Sequence, residues 1–143
     1  ILWTEKYPIF NGKYFNFNDL QFEPKPVQKP YPPIIFGGES EPALRRVGEV
    51  GDGWWGVNVT VESAKDHLAQ IKNFAEGAGR DASALTYAVT TGIGVPVSLD
   101  EVEQFAEIGV DQVIVGLLAA SADEYKQGIE QIANELIVPL ANS

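Results

Sequence analysis

Pro32-Pro33-Ile34-Ile35-Phe36-Gly37-Gly38-Glu39-Ser40-Glu41-Pro42 is the stretch on which the reading of the fold turns. Ile34-Ile35-Phe36 is β-branched or aromatic throughout and predicts a strand buried on both faces. Gly37-Gly38 lets the chain turn with positive φ and leaves bare backbone at the bend. Ser40 suits an N-cap, and Pro42 falls in the first helical turn, where a missing N–H costs little. Strand, glycines and helix start in this order form a βα turn. Free N–H groups at a helix N-terminus also suit an anion, so a cofactor phosphate is expected at Gly37, Gly38, Glu39 and Ser40. The spacing is neither GxGxxG nor a P-loop. Glu39 and Glu41 would repel a phosphate unless their carboxylates point away.

Downstream, the same alternation repeats. Ala43, Leu44, Val47 and Val50 give the first helix its core stripe, Gly48 permits close packing, and Gly51 stands where a C-cap would. Arg45 and Arg46 either reach an anion or lie on the solvated face. Asp52-Gly53 turns into a second strand, Trp54-Trp55-Gly56-Val57. The tryptophan pair is core packing, or one ring, Trp54 first, lines the pocket of a planar cofactor. Thr60 caps the next helix, whose stripe is Leu68, Ile71, Phe74, Ala75 and Ala78, with His67 beside it as a structural or solvated histidine. Gly77, Gly79 and Arg80-Asp81 end that helix, and residues 85–91 predict a third strand.

Ser98-Leu99-Asp100-Glu101 is a capping box for a helix with Val102, Phe105 and Ala106 inward, stopped by Gly109. Residues 110–116 predict the fourth strand. Ser121-Ala122-Asp123-Glu124 opens a last helix with Tyr125, Ile129, Ile132, Ala133 and Leu136 at helical spacing. Strand then helix four times over implies a parallel sheet with crossover helices. Because a complete (β/α)8 barrel takes roughly 250 residues, four units are about half of one. A small open sheet with helices on both faces is the other architecture compatible with the pattern.

Residues 1–31 read as an extended insertion and Pro-rich lead-in, and residues 32–143 as four βα units. Asn11-Gly12 is a hairpin signal, and Phe15, Phe17, Leu20 and Phe22 punctuate a polar background. Pro24, Pro26, Pro30, Pro32 and Pro33 enforce an extended approach to the first strand. A proline-rich ligand for a recognition module is the competing reading, disfavoured because the prolines run directly into a buried strand.

The 143 residues are 45% hydrophobic and 21% charged, as for one globular domain. A net charge of −10 makes nucleic acid and anionic membrane poor partners. No apolar run approaches the ~20 residues of a membrane span, and no secretory signal opens the chain. The absence of cysteine removes disulfide and thiolate chemistry and fits a cytoplasmic setting; a single histidine leaves no histidine-based metal cluster. The abrupt start at Ile1-Leu2-Trp3 reads as a piece of a longer protein.

The ordered set Phe22-Glu23-Pro24-Lys25-Pro26-Val27-Gln28-Lys29-Pro30, Pro32 to Gly38, Ala43-Leu44-Arg45-Arg46, Gly51-Asp52-Gly53-Trp54, Gly79-Arg80-Asp81 and Gly109-Val110-Asp111-Gln112-Val113 resembles the bacterial luciferase-like superfamily. It is most similar to the branch that uses the deazaflavin coenzyme F-420, with FMN-dependent monooxygenases as near neighbours. The resemblance implies an α/β fold, the C-terminal half of a (β/α)8 TIM barrel. It implies hydride transfer between F-420 and a small organic substrate, with FMN as the alternative cofactor, and a homodimer when intact. It implies that backbone at Gly37-Gly38 holds the cofactor phosphate, with Trp54 or Trp55 at the pocket. The family's acid–base residues come largely from the other half, so no catalytic residue is assigned. A non-catalytic α/β module that binds a partner or an anionic ligand is the rival from a different class.

Overall fold

The computed structural model describes residues 1–142. They form two compact units, Ile1–Pro33 and a second that begins at Ile34. In the first, β1 (Phe10–Asn11) pairs antiparallel with β2 (Asn16–Phe17), Phe10 opposite Phe17 and Asn11 opposite Asn16. The hairpin expected at Asn11-Gly12 is present, but its loop runs from Gly12 to Phe15 and is closed by the Gly12 N–H on the Phe15 carbonyl at 2.9 Å. Lys25 donates to the carbonyls of Leu2 (2.9 Å) and Glu5 (2.6 Å), tying the Pro-rich segment to the start of the unit.

The second unit is a sheet of β3 (Ile35–Gly37), β4 (Gly53–Val57), β5 (Thr86–Thr90) and β6 (Gln112–Val113), in that order and parallel throughout. Helices α1 (Glu41–Val50), α2 (Val61–Gly77) and α3 (Leu99–Glu107) make the crossovers. The register sets Phe36, Trp54 and Tyr87 side by side. They share one core with Leu44, Val47, Leu68, Ile71, Val89 and Phe105, so all three crossover helices cover the same face. That excludes the open sheet with helices on both faces and matches part of a TIM-barrel wall, whose other face would line the interior.

The uncovered face corrects the expectation for the first strand. Side chains alternate across a strand, so Ile35 falls opposite Phe36 and stands 43% exposed. Val50 is also exposed; at 100° per residue it sits roughly 110° from the centre of the Leu44, Val47 and Gly48 stripe. Ala78 lies beyond the last turn of α2 as its C-cap and is exposed, and so is Ala106 of α3. Gly48 does permit close approach: a Cβ there would lie 2.6 Å from the Phe74 Cβ and 2.8 Å from the Ile71 carbonyl oxygen.

Two devices lock the strands' entry ends. The Asp52 carboxylate accepts the Ile34 N–H at 2.8 Å, and the Asp111 carboxylate accepts the Tyr87 N–H at 2.7 Å. Each aspartate thus takes an amide within one residue of the start of the preceding strand. Arg80 donates to the carbonyls of Gly48 (2.6 Å), Gly51 (2.6 Å) and Val47 (3.3 Å), capping the negative end of α1 from the loop after α2.

The C-terminal part is looser. The fourth strand is shorter than the predicted 110–116: β6 spans two residues, followed by an isolated bridge between Ile93 and Gly116. As an edge strand it has a ladder on one side only. The last helix is a rod of α4 (Ala122–Ile132), a π-helical stretch (Ala133–Ile137) and α5 (Val138–Ala141). Pro139 lacks an N–H and its ring crowds the carbonyl four residues back, at Glu135, inside the widened turn. Of the predicted stripe only Leu136 is buried; Tyr125 and Ile129 are exposed.

Candidate functional site

Because all four strands are parallel, their C-terminal ends lie on one rim, and the turns after β3, β4, β5 and β6 gather there. Gly38 begins the first of these turns with φ +103°, and a Cβ on it would come within 3.1 Å of the Ala43 Cβ. Position 38 therefore demands glycine. Position 37 does not, since a Cβ there would find its nearest neighbour at an ordinary 3.7 Å.

Ser40 occupies the N-cap with extended backbone, but its hydroxyl makes no capping bond. Its carbonyl accepts the Ala43 and Leu44 amides at 2.8 and 3.0 Å. Pro42 has none to offer. The amides of Glu39, Ser40 and Glu41 find no protein acceptor among the described residues. They sit at the positive end of α1, with the side chains of Glu39 and Ser40 exposed around them. Glu41, read as a repulsive charge, binds Arg45 at 2.8 Å. Arg45 also approaches Glu49 at 3.9 Å and lies 4.4 Å from the Phe74 ring centre, and Arg46 lies over Phe36. Both guanidiniums lie against aromatic rings along the flanks of α1.

The structure separates the two tryptophans. Trp54 is 0% exposed and faces the helices, so its ring does not line a pocket on the rim as expected. It acts on the turn from beneath: its indole N–H donates to the Gly38 carbonyl at 2.9 Å. Its ring meets His67 edge-on, centroids 5.5 Å apart, and the His67 Nδ1 is buried without a partner. Trp55 lies on the helix-free face, 43% exposed, beside Ile35, Thr86 and Ala88. A signal separating the two was present in Trp54-Trp55-Gly56: residues two apart share a face, and a Cβ at Gly56 would run into the Trp54 ring.

Asn58, just past β4, was missed. Its φ is +57°, the one positive value outside glycine among the described residues. Its amide donates to the Thr90 carbonyl at 2.8 Å, joining the ends of β4 and β5. The signal was modest: asparagine is among the few side chains that tolerate this conformation. No group of three or more His, Asp or Glu placed to hold a metal occurs among the described residues. No helix there is long and apolar enough to cross a membrane.

The family model described as luciferase-like monooxygenase matches residues 1–138. An FMNH2-dependent dimethylsulfone monooxygenase of Pseudomonas putida is 29% identical over 113 residues, covering 79% of this chain and 29% of that protein. An uncharacterised protein of Mycobacterium tuberculosis is 27% identical over 94% of this chain and 46% of its own length. The chain thus spans less than half the length of these relatives. Among solved structures, an F-420-dependent secondary alcohol dehydrogenase superposes with TM-score 0.72 at 17% identity, over 94% of this chain and 57% of that one. The F-420-dependent tetrahydromethanopterin reductase of Methanopyrus kandleri gives 0.71 at 16%, over 90% and 57%.

Proposed function

From the premise that this chain belongs to the luciferase-like monooxygenase family, we propose that it supplies the cofactor-phosphate site of an oxidoreductase that moves hydride between coenzyme F-420 and a small organic substrate. The observation that carries the reading is the exposed turn from Gly37 to Ser40, with three free amides aimed from a helix N-terminus on the strands' C-terminal rim. Those amides and the Ser40 hydroxyl are donors matched to a phosphate. Gly38 makes the bend, and Trp54 fixes its carbonyl so that the amides keep their direction. The pairing of Glu41 with Arg45 reduces the local negative charge. When bound, the deazaflavin ring supplies the hydride chemistry, and these residues hold and orient it.

A second reading, an FMN-dependent monooxygenase, draws on the sulfone monooxygenase relative and uses the same turn. Titrating the full-length protein with F-420 and with FMN, following cofactor fluorescence, tests both. Saturable F-420 binding is expected. FMN binding alone selects the second reading, and binding of neither refutes both.

A further inference from the structure

Three observations converge on Asn58. Its backbone is held left-handed, a conformation stored at functional sites more often than elsewhere. Its amide is spent on Thr90, while its exposed carboxamide makes no hydrogen bond with the protein. The neighbouring loop leaves it room: Gly92 has φ +142°, and a Cβ there would come within 3.0 Å of the Asn58 Oδ1. A polar side chain is thus presented at the rim, backed by a glycine and without a partner.

Its position relative to the phosphate turn follows from the register. Gly37 is paired with Trp55, so the ends of these adjacent strands, Gly37 and Val57, are offset by two residues along the strand direction, with Gly38 and Asn58 next in line. Strand spacing and rise put those two strand ends on the order of 8 Å apart. That is too far for a shared phosphate oxygen. It is the reach of the polyol chain that joins phosphate to ring in both F-420 and FMN.

Resting on the phosphate reading above, we propose that Asn58 is a positioning residue whose carboxamide hydrogen-bonds the ribityl hydroxyls of the bound cofactor. It has both a donor and an acceptor to offer a hydroxyl. The bond is common to both cofactors and fixes the distance from the phosphate turn to the ring.

Asn58→Gly tests this, because glycine keeps the left-handed backbone and removes only the carboxamide. In the full-length protein the melting temperature should be unchanged or higher. Affinity for whichever of F-420 or FMN binds the native protein should fall about 5- to 10-fold, the worth of one neutral hydrogen bond. Affinity for the bare ring without its polyol (lumiflavin, or the corresponding deazaflavin) should stay within twofold. Unchanged cofactor affinity in Asn58→Gly would mean the residue serves the backbone alone, and the proposal fails. Equal weakening toward the bare ring would place the contact on the ring and overturn the ribityl assignment. If the native protein binds neither cofactor, the phosphate reading itself has failed, and this proposal with it.

Discussion

Residues 34–90 and residues 122–141 are written in the same local language and end in different states. Both open helices with N-caps: Thr60 with Ser63 in a reciprocal box, and Ser121 with its hydroxyl on the Glu124 amide. Both carry apolar stripes at helical spacing. In the first region the stripe meets a sheet, and Leu44, Val47, Leu68 and Ile71 are essentially inaccessible. In the second, Tyr125 is 51% and Ile129 48% exposed, and the rod is buried only at Leu136. Caps and periodicity decide that a helix forms; burial needs a surface of matching shape, which no local signal encodes.

The largest expected effect attacks the packed side. Trp54→Ala removes a fully buried ring and the bond to the Gly38 carbonyl, and should cost about 3–5 kcal/mol in denaturant unfolding. Trp54→Phe separates the two parts. It keeps most of the volume and should cost less, while lowering cofactor-phosphate affinity through the freed turn. If Trp54→Ala costs under 1 kcal/mol, the packed side is no better packed than the loose one.

Next is Gly48→Leu. The side chain must fit where Phe74 and the α2 backbone already stand, so α1 and α2 are forced apart at a cost of about 1–3 kcal/mol. Leucine is the better helix former by roughly 1 kcal/mol. Propensity and packing therefore oppose each other, and a stabilised variant would show that the α1–α2 contact is loose. Arg80→Met, which deletes the bonds to two α1 carbonyls and to that of its C-cap Gly51, should cost about 1–2 kcal/mol by the same measurement.

On the open side, Ile129→Ala should change the stability of this chain by less than about 0.5 kcal/mol. The same substitution in the full-length protein sharpens the contrast. A cost several times larger there would mean that residues outside this chain cover the stripe.

A pH experiment gives the smallest effect. Burial first, and the nearby Asp111 carboxylate second, raise the Tyr87 phenol above its ordinary range. The fold therefore favours the neutral phenol. That contribution is complete below the unfolded value near pH 10 and is lost as pH rises through the higher folded value. Tyr87→Phe should flatten the loss of stability above about pH 10 and leave neutral pH comparatively unaffected.

The parallel strand–helix alternation was legible because such units announce themselves locally: the first strand falls within one residue of Ile34 to Phe36, Gly38 makes the bend while Gly37 ends the strand, and the capping residues Ser98 and Ser121 stand where the pattern put them. Alternation alone could not say that one face of the sheet would lack helices, so Ile35 was read as buried and the two tryptophans were not told apart. Arg80 looked like part of a helix terminator. Its reach to the end of α1, some thirty residues earlier, belongs to tertiary structure. Asn58 escaped because a left-handed residue leaves almost no mark in sequence unless it is glycine.

The central claim is that the bare amides after Gly38 hold a phosphate, and the most direct measurement is its phosphate dependence. The full-length protein and its Gly38→Val variant are titrated with F-420 and FMN, each against the ribityl form lacking phosphate. The native protein should prefer the phosphorylated form by about 10- to 100-fold, the range of charge-assisted hydrogen bonds, and Gly38→Val should erase most of that preference. Equal affinity of the native protein for both forms, or a preference undiminished by Gly38→Val, would contradict the account.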